Sequence, residues 1–326
     1  VARLPHHGQM HETEVIERLR GLATHPGARD LRDDAAVLDN LVITHDSVAE
    51  GVHFLTTDPP ASIGWKLVAV NLSDLAAKGA RPVGALLSLT LSENDWDRAI
   101  IDGIEAACES YSLPLLGGDT IALPPGAPRV YGLTAIGRAG EQVPSRSGGS
   151  SGDKLWIAGT LGDSAAGLAL LAESERSTGA LVDIYRRPIP LLEMGISLAG
   201  HATAMMDVSD GLLIDLSRLC DASGCGAEVD FDSLPLSRAF IAERGQDRSA
   251  RLFAATGGDD YALLAALPAD LDVVSLSLPQ APTLTCVGRL VAGSGLKLHD
   301  RDGDVPLPES LGYEHRASIS PVDDRL

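Results

Sequence analysis

ITHDSVAEGVHF (residues 43–54) and IGWKLVAVNLSDLAAKGA (residues 63–80), joined by a Pro-rich turn, decide how this chain is read. The apolar run Leu41-Val42-Ile43 predicts a strand that ends in the polar residues Thr44, His45, Asp46 and Ser47, with Gly51 and His53 in an irregular turn beyond it. Asp58-Pro59-Pro60 opens a helix and Gly79 closes it. On that helix Asn71, Asp74 and Lys78 fall at i, i+3 and i+7 and share one face, while Ile63, Leu67, Val70 and Leu75 lie mainly around the rest. A helix carrying Asp74 beside a strand end carrying Asp46 aims two carboxylates at one point. Taken singly, each acid is equally well explained as solvated surface. The site reading therefore depends on further carboxylates converging there.

Working outward, 326 residues suggest two domains with sizeable cores. Aromatics make up only 4% of the chain, so the cores are expected to be aliphatic. The 26 basic residues against 45 acidic give a net charge of −19, which argues against nucleic-acid or anionic-membrane partners and suits divalent cations. Cys108, Cys220, Cys225 and Cys286 form no CxxC pair and no tight Cys/His spacing. Reduced thiols in a cytoplasmic protein are the expectation, with no membrane-spanning run and no signal-peptide core in VARLPHHGQM.

A short amphipathic helix is expected over residues 11–22, with Val15, Ile16, Leu19 and Leu22 on one side. A hairpin turns at Asp39-Asn40. A β-rich run covers Val83 to Leu91, Asn94 caps the helix that follows, and Leu115-Leu116 reads as a short buried strand ending in Gly117-Gly118-Asp119-Thr120. Strands are expected over 130–136 and 154–158, and helices through Leu171 and over about 191–199. The Gly/Ser-rich stretch 139–153 is the clearest composition shift and reads as a boundary between units at 1–140 and 150–326. The mixture fits an α/β or α+β fold in two domains.

Carboxylates recur after apolar strands or in Gly-flanked loops: Asp34, Asp46, Asp119, Asp207, Asp210 and Asp259, with Asp74 on its helix. Gly lets a ligand approach the backbone, and Asp offers hard oxygen ligands. Scattered single acids suit a Mg²⁺–nucleotide site, because Mg²⁺ takes few carboxylates and completes its shell with phosphate oxygens. GGSSGDK (148–154) fails the phosphate-loop spacing, and Asp300, Asp302 and Asp304 fail the EF-hand spacing.

RDDAAVLD (32–39), HDSVAEGVHF, NLSDLAAKGARP (71–82), LLGGDT (115–120), SRSG (145–148), GTLGDSAAGL (159–168), DVSDGL (207–212), GGDDYALL (257–264) and GYEH (312–315) follow the order found in thiamine-monophosphate kinases, and the chain resembles that family. The resemblance implies a two-domain aminoimidazole ribonucleotide synthetase-like fold, with an N-terminal ATP/Mg-binding and dimerisation domain whose sheet forms a barrel across a homodimer. A C-terminal α/β domain would complete the nucleotide and substrate site. It implies ATP-dependent phosphorylation of thiamine monophosphate to thiamine diphosphate, the last step of that cofactor's synthesis, with several Mg²⁺ ions. By motif, Asp34, Thr44, Asp46, Asp74, Asp119, Asp207 and Asp210 match metal ligands. Tyr111, Gly118, Asp119, Arg146 and Ser209 match ATP contacts, and His53, Asp259 and Tyr313 match substrate contacts. Asp210 and Arg146 match catalytic positions. Arg32 stands where Gly is usual and Asp259 where Glu is common. His45 stands where Ser or Thr is usual, and its imidazole is either a metal neighbour or a plain strand-end residue. A sister synthetase acting on another substrate, or a divalent-ion-binding protein without turnover, remain as alternatives.

Overall fold

A computed structural model describes residues 12–315, apart from 277 and 279–281. Two sheets organise it. The first unit runs α1 (Glu12–Arg20), β1 (Ala36–Leu38), β2 (Leu41–Ala49), α2 (Pro60–Ala77), β3 (Arg81–Leu91), α3 (Asn94–Ser110), β4 (Leu115–Ala122) and β5 (Val130–Arg138). Its five strands lie in the order β1-β2-β5-β3-β4, antiparallel except for β3 with β4. The second unit runs β6 (Lys154–Ala158), α4 (Asp163–Glu173), α5 (Ala180–Arg186), α6 (Leu192–Ala199), β7 (Ala204–Val208), α7 (Leu212–Ser223), β8 (Gly226–Asp230), α8 (Arg238–Arg244), α9 (Arg248–Thr256), β9 (Ala262–Leu267), β10 (Leu284–Val291), β11 (Gly295–Asp300) and β12 (Gly303–Val305). Its seven strands lie in the order β12-β11-β8-β10-β6-β9-β7, with only β11 and β8 parallel.

The decisive helix is α2, and it is buried on nearly every side rather than amphipathic. Ile63, Leu67, Leu72 and Leu75 belong to the core under the first sheet. Ala76 and Ala77 pack with Met194 and Leu198 of α6 and Met205 of β7 in a second core. The helix thus joins the two units, and each fully buried leucine contributes roughly 1.5–3 kcal/mol. Its crossing with α3 is close because both contact points are glycines. A Cβ on Gly64 would meet the Ile100 carbonyl oxygen at 2.2 Å, and one on Gly103 would meet that of Ala61 at 2.0 Å.

Four local expectations change. β2 continues through Ala49, so Thr44 to Ser47 lie within a strand rather than at its end. They pair with residues 132–135 of β5, which extends the ladder past the apolar run. Asn94 is the first residue of α3, not its cap; the chain before it is held by Asp97, whose carboxylate accepts from the Ser92 N–H. Leu115 and Leu116 begin an eight-residue edge strand and are 55% and 57% exposed, because among the described residues no element covers β4. The first helix is observed as Glu12–Arg20, residue 11 lying outside the described residues, and Val15 and Leu19 face solvent. No described helix is long and apolar enough to cross a membrane.

Candidate active site

A cleft of about 1060 Å³ opens where α2 meets β2, β7 and the loop before α7. Ten of the residues singled out from the sequence line it: Asp34, His53, Asp46, Asp74, Arg146, Asp207, Ser209, Asp210, Asp259 and Tyr313. The alternation of β2 explains why Asp46 faces inward and His45 does not. The Asp46 N–H donates to Asn71 Oδ1 on α2 at 2.9 Å. His45 is on the opposite face, with Nδ1 2.9 Å from Thr134 Oγ1 on β5. The imidazole is a sheet-face residue in contact with β5, and its charge still acts on Asp46 beside it.

Asp34, Asp74 and Asp207 each offer a carboxylate oxygen within 4.8 Å of the others. They arrive from the loop before β1, from α2 and from β7. The Thr44 hydroxyl donates to Asp74 Oδ2, and Ser73 Oγ donates to Asp207 Oδ2 at 2.6 Å. Burial, together with the neighbouring carboxylates, lifts Asp74 well above the ordinary range and Asp207 to about 8. Asp46 is lifted to about 6, again chiefly by burial, with Asp34 and Asp210 adding repulsion. Asp34 Oδ2 is buried, with the Lys78 ammonium 2.6 Å away. These are the marks of a hard-oxygen donor set whose charge a divalent cation would balance, and the residues fit Mg²⁺.

Basic residues surround the acids. Arg146 Nε donates to Asp34 Oδ1 at 2.7 Å. The Gly/Ser-rich stretch that carries Arg146 is fastened down: Arg29 donates to the Val143 and Pro144 carbonyls, the Ser145 carbonyl accepts from Met205 N–H, and Ser223 Oγ donates to the Arg146 carbonyl. Besides marking a boundary, this stretch brings a cation to the acids. Buried Lys78 lies 2.5 Å from Asp33 Oδ1 and 2.6 Å from Asp34 Oδ2. Burial alone would raise Asp33, but Lys78 and Arg29 outweigh it and hold that carboxyl below its usual range.

The DVSDG loop is shaped by Asp215, in the first turn of α7, whose Oδ2 accepts from the N–H groups of Ser209 and Asp210. Arg218 pairs with both Asp210 and Asp215. The 257–261 loop is stitched to it, since Asp259 N–H donates to the Ser209 carbonyl at 2.7 Å and Tyr261 N–H to that of Val208 at 2.8 Å. Lys66 on α2 reaches Asp259 Oδ2 at 2.7 Å and the His53 carbonyl at 3.0 Å, and Tyr261 Oη donates to Asp259 Oδ1 at 2.9 Å. His53 Nδ1 accepts from the Ala49 N–H, and burial lowers the pKa of its ring. His315 packs between His53, tilted at 42°, and Tyr313, edge-on at 90°, with ring centroids 5.5 and 5.0 Å away, making one wall of the cleft.

Three residues singled out from the sequence lie elsewhere. Tyr111 ends α3 and packs edge-on against Trp65. Gly118 and Asp119 are on the exposed edge strand β4. Gly118 has φ 156°, and a Cβ there would meet the Leu87 carbonyl oxygen at 1.9 Å, so the β3–β4 pairing itself demands glycine. Sequence reasoning gave no role to Lys66, Lys78, Asp215 or Arg218. Their signals were present: Lys66 is a lone base within a largely apolar helix, Lys78 follows that helix one turn after Asp74, and Asp215-x-x-Arg218 is an i, i+3 pair beside DVSDG.

Residues 32–139 match the AIR synthase related protein N-terminal domain, and residues 150–301 match the C-terminal domain of the same family. The thiamine-monophosphate kinase of Salmonella typhimurium is 38% identical over 306 residues, covering 88% of this chain and 91% of that protein. Among solved structures, AaThiL complexed with AMPPCP and TMP superposes with a TM-score of 0.81 at 30% identity, covering 97% of this chain and 99% of the other. The thiamine-monophosphate kinase of Stenotrophomonas maltophilia K279a gives 0.71 at 38% identity, covering 92% and 100%. The chain belongs to the thiamine-monophosphate kinases of the AIR synthase related family.

Proposed function

We propose that this chain transfers the γ-phosphoryl group of ATP to the phosphate of thiamine monophosphate, releasing ADP and thiamine diphosphate. The observation that carries the proposal is the convergence of Asp34, Asp74 and Asp207 on the floor of the cleft, in a chain 38% identical to a thiamine-monophosphate kinase. The relative solved with AMPPCP, an ATP analogue, and TMP supports the same pair of ligands.

The chemical difficulty is electrostatic. Donor and acceptor are both anionic, and two unit charges about 4 Å apart repel by about 4 kcal/mol at an effective dielectric near 20. Mg²⁺ bound at Asp34, Asp74 and Asp207, with Asp46, Asp210 and Thr44 beside them, would neutralise phosphate charge and polarise the transferring group. The acceptor phosphate is ionised near neutral pH, so the chain needs no strong base. Positioning does the rest. Arg146 presents a cation held in place by Asp34. Asp259, clamped at both oxygens by Lys66 and Tyr261, faces the cleft as an acceptor, and His53, His315 and Tyr313 offer an aromatic lining against which a ring can pack.

We assign ATP and Mg²⁺ binding to the unit within 1–140, with Tyr111, Gly118 and Asp119 as its outlying members, and to 150–326 the completion of the nucleotide and substrate site. A homodimer accounts for their position. Leu86, Leu115, Leu116 and Ile121 are exposed on or beside the β4 edge, and a second copy covering that surface would bring β4 residues to a neighbouring cleft. A cytoplasmic location agrees with four free cysteines.

The test is an acceptor panel: thiamine monophosphate, free thiamine, formylglycinamidine ribonucleotide and selenide, each with ATP and Mg²⁺, with products resolved by chromatography. Thiamine diphosphate and ADP in equal amounts, in the first reaction alone and abolished by EDTA, is the expected result. ATP consumption only with another acceptor would overturn the substrate assignment.

A further inference from the structure

Lys78 is the charged residue of the cluster to which phosphoryl transfer gives no task. Its side chain is fully buried, and lysine is almost never so unless paired. The ammonium lies among three oxygens: Asp33 Oδ1 at 2.5 Å, Asp34 Oδ2 at 2.6 Å and the Met205 carbonyl at 3.1 Å. That is a small oxygen cage of the kind a metal cation takes. Two of its walls are adjacent carboxylates, and one of those, Asp34, also belongs to the trio with Asp74 and Asp207. Asp34 Oδ2 meets the ammonium at 2.6 Å, and a carboxylate oxygen can accept from a second cation as well. Asp34 Oδ1 is meanwhile taken by Arg146. The position is reached by covalent geometry: Lys78 follows Asp74 by one helical turn, on the face of α2 that looks at the loop before β1.

We propose that Lys78 is a resident monovalent cation of this centre, permanently filling the Asp33–Asp34 side, so that the cluster binds one divalent ion fewer than its acids would otherwise hold. It is a positioning residue: it fixes Asp34 against Asp74 and Asp207 before any metal arrives. The proposal rests on the reading of the cluster as a divalent-ion centre, and the test separates the two.

The test is equilibrium dialysis against Mn²⁺, an ion with the same taste for oxygen ligands, without nucleotide or thiamine phosphate. Wild type is compared with Lys78→Met, whose unbranched side chain fills similar space without charge. At saturation the variant is expected to bind one more Mn²⁺ per chain. Its melting temperature should also gain more from Mn²⁺ over EDTA than that of wild type, because in EDTA Asp33 and Asp34 keep only Arg29 and Arg146 as counter-charges and lose the one they share. Equal stoichiometry and equal gain would overturn the role of Lys78 while leaving the metal centre intact. A variant that stays unfolded in saturating Mn²⁺ would also overturn it, since no divalent ion then replaces the ammonium. Absence of Mn²⁺ from both proteins would remove the metal centre itself.

Discussion

Thr44 and Asp74 meet across the gap between β2 and α2, the threonine hydroxyl donating to Asp74 Oδ2. One is an inward residue of a strand, and the other lies on the one polar face of a buried helix. Their contact fixes the carboxylate on which the rest of the acidic cluster converges, with Ser73 doing the same for Asp207 from the next position along the helix. Groups that orient a metal ligand typically matter by 10–100-fold, so Thr44→Val is expected to weaken Mg²⁺ activation by roughly that factor. Titration of initial rate against Mg²⁺ measures it; an unchanged half-saturating concentration would show that the hydroxyl orients nothing.

Asp74→Asn and Asp207→Asn are expected to lower kcat by about 100-fold or more, on the scale of removing a principal electrostatic contact to the transferring group. Neither should unfold the chain, because burial and the neighbouring carboxylates already favour the uncharged form of each group, which the amide mimics. Steady-state kinetics beside thermal melts in EDTA check both statements. Near-normal turnover in both variants would remove the metal assignment.

Burial, with the repulsion between carboxylates, also sets a pH dependence. Asp46 and Asp207 are raised from 3.8 to about 6 and about 8, so across that window the metal-free native chain holds protons the unfolded chain has released. The stability they contribute is complete below about pH 4 and is lost as pH rises through about 8. The melting temperature in EDTA should therefore fall over this range. The gain from added Mg²⁺ should grow over it, since the metal binds the ionised carboxylates. Melts at a series of pH values, with and without Mg²⁺, read both slopes, and a gain that shrinks with pH would contradict the assignment.

Lys66 ties α2 to the 257–261 loop through Asp259, and to the turn after β2 through the His53 carbonyl. Lys66→Met frees one oxygen of Asp259 and is expected to raise KM for thiamine monophosphate by roughly 10-fold, about 1.4 kcal/mol, with a smaller change in kcat. The split between KM and kcat is the diagnostic, because a collapsed metal centre would lower kcat instead.

On β4, Leu116→Asp is expected to convert a homodimer to monomer in light scattering after size exclusion, with loss of activity that added wild-type chain does not mask in a mixed assay. A monomeric wild type with full activity would separate β4 from the site and leave Asp119 without a role.

Much of the site was legible because its ligands lie in short local signals. The polar face Asn71-Asp74-Lys78 could be read from helical spacing, and all three side chains are where that spacing puts them. What escaped depended on contacts distant in sequence. Lys78 meets Asp33 and Asp34 across more than forty positions, and nothing in NLSDLAAKGA announces those partners. The apolar run before Thr44 suggested that the strand ended there. Backbone pairing with β5 carries it on to Ala49, which turns His45 away from the carboxylates. Leu115 and Leu116 read as buried because they are apolar, yet burial is decided by what packs on β4 and not by its own composition.

The central claim is that the acidic cleft directs the γ-phosphoryl group of ATP onto thiamine monophosphate. The most direct measurement uses ATP radiolabelled at its γ-phosphorus, with thiamine monophosphate and Mg²⁺, followed by separation of all phosphorylated products. The account predicts that the label appears in the terminal phosphate of thiamine diphosphate in step with ADP, and that EDTA or Asp74→Asn abolishes it. Label recovered as inorganic phosphate while thiamine monophosphate remains unchanged would contradict the account.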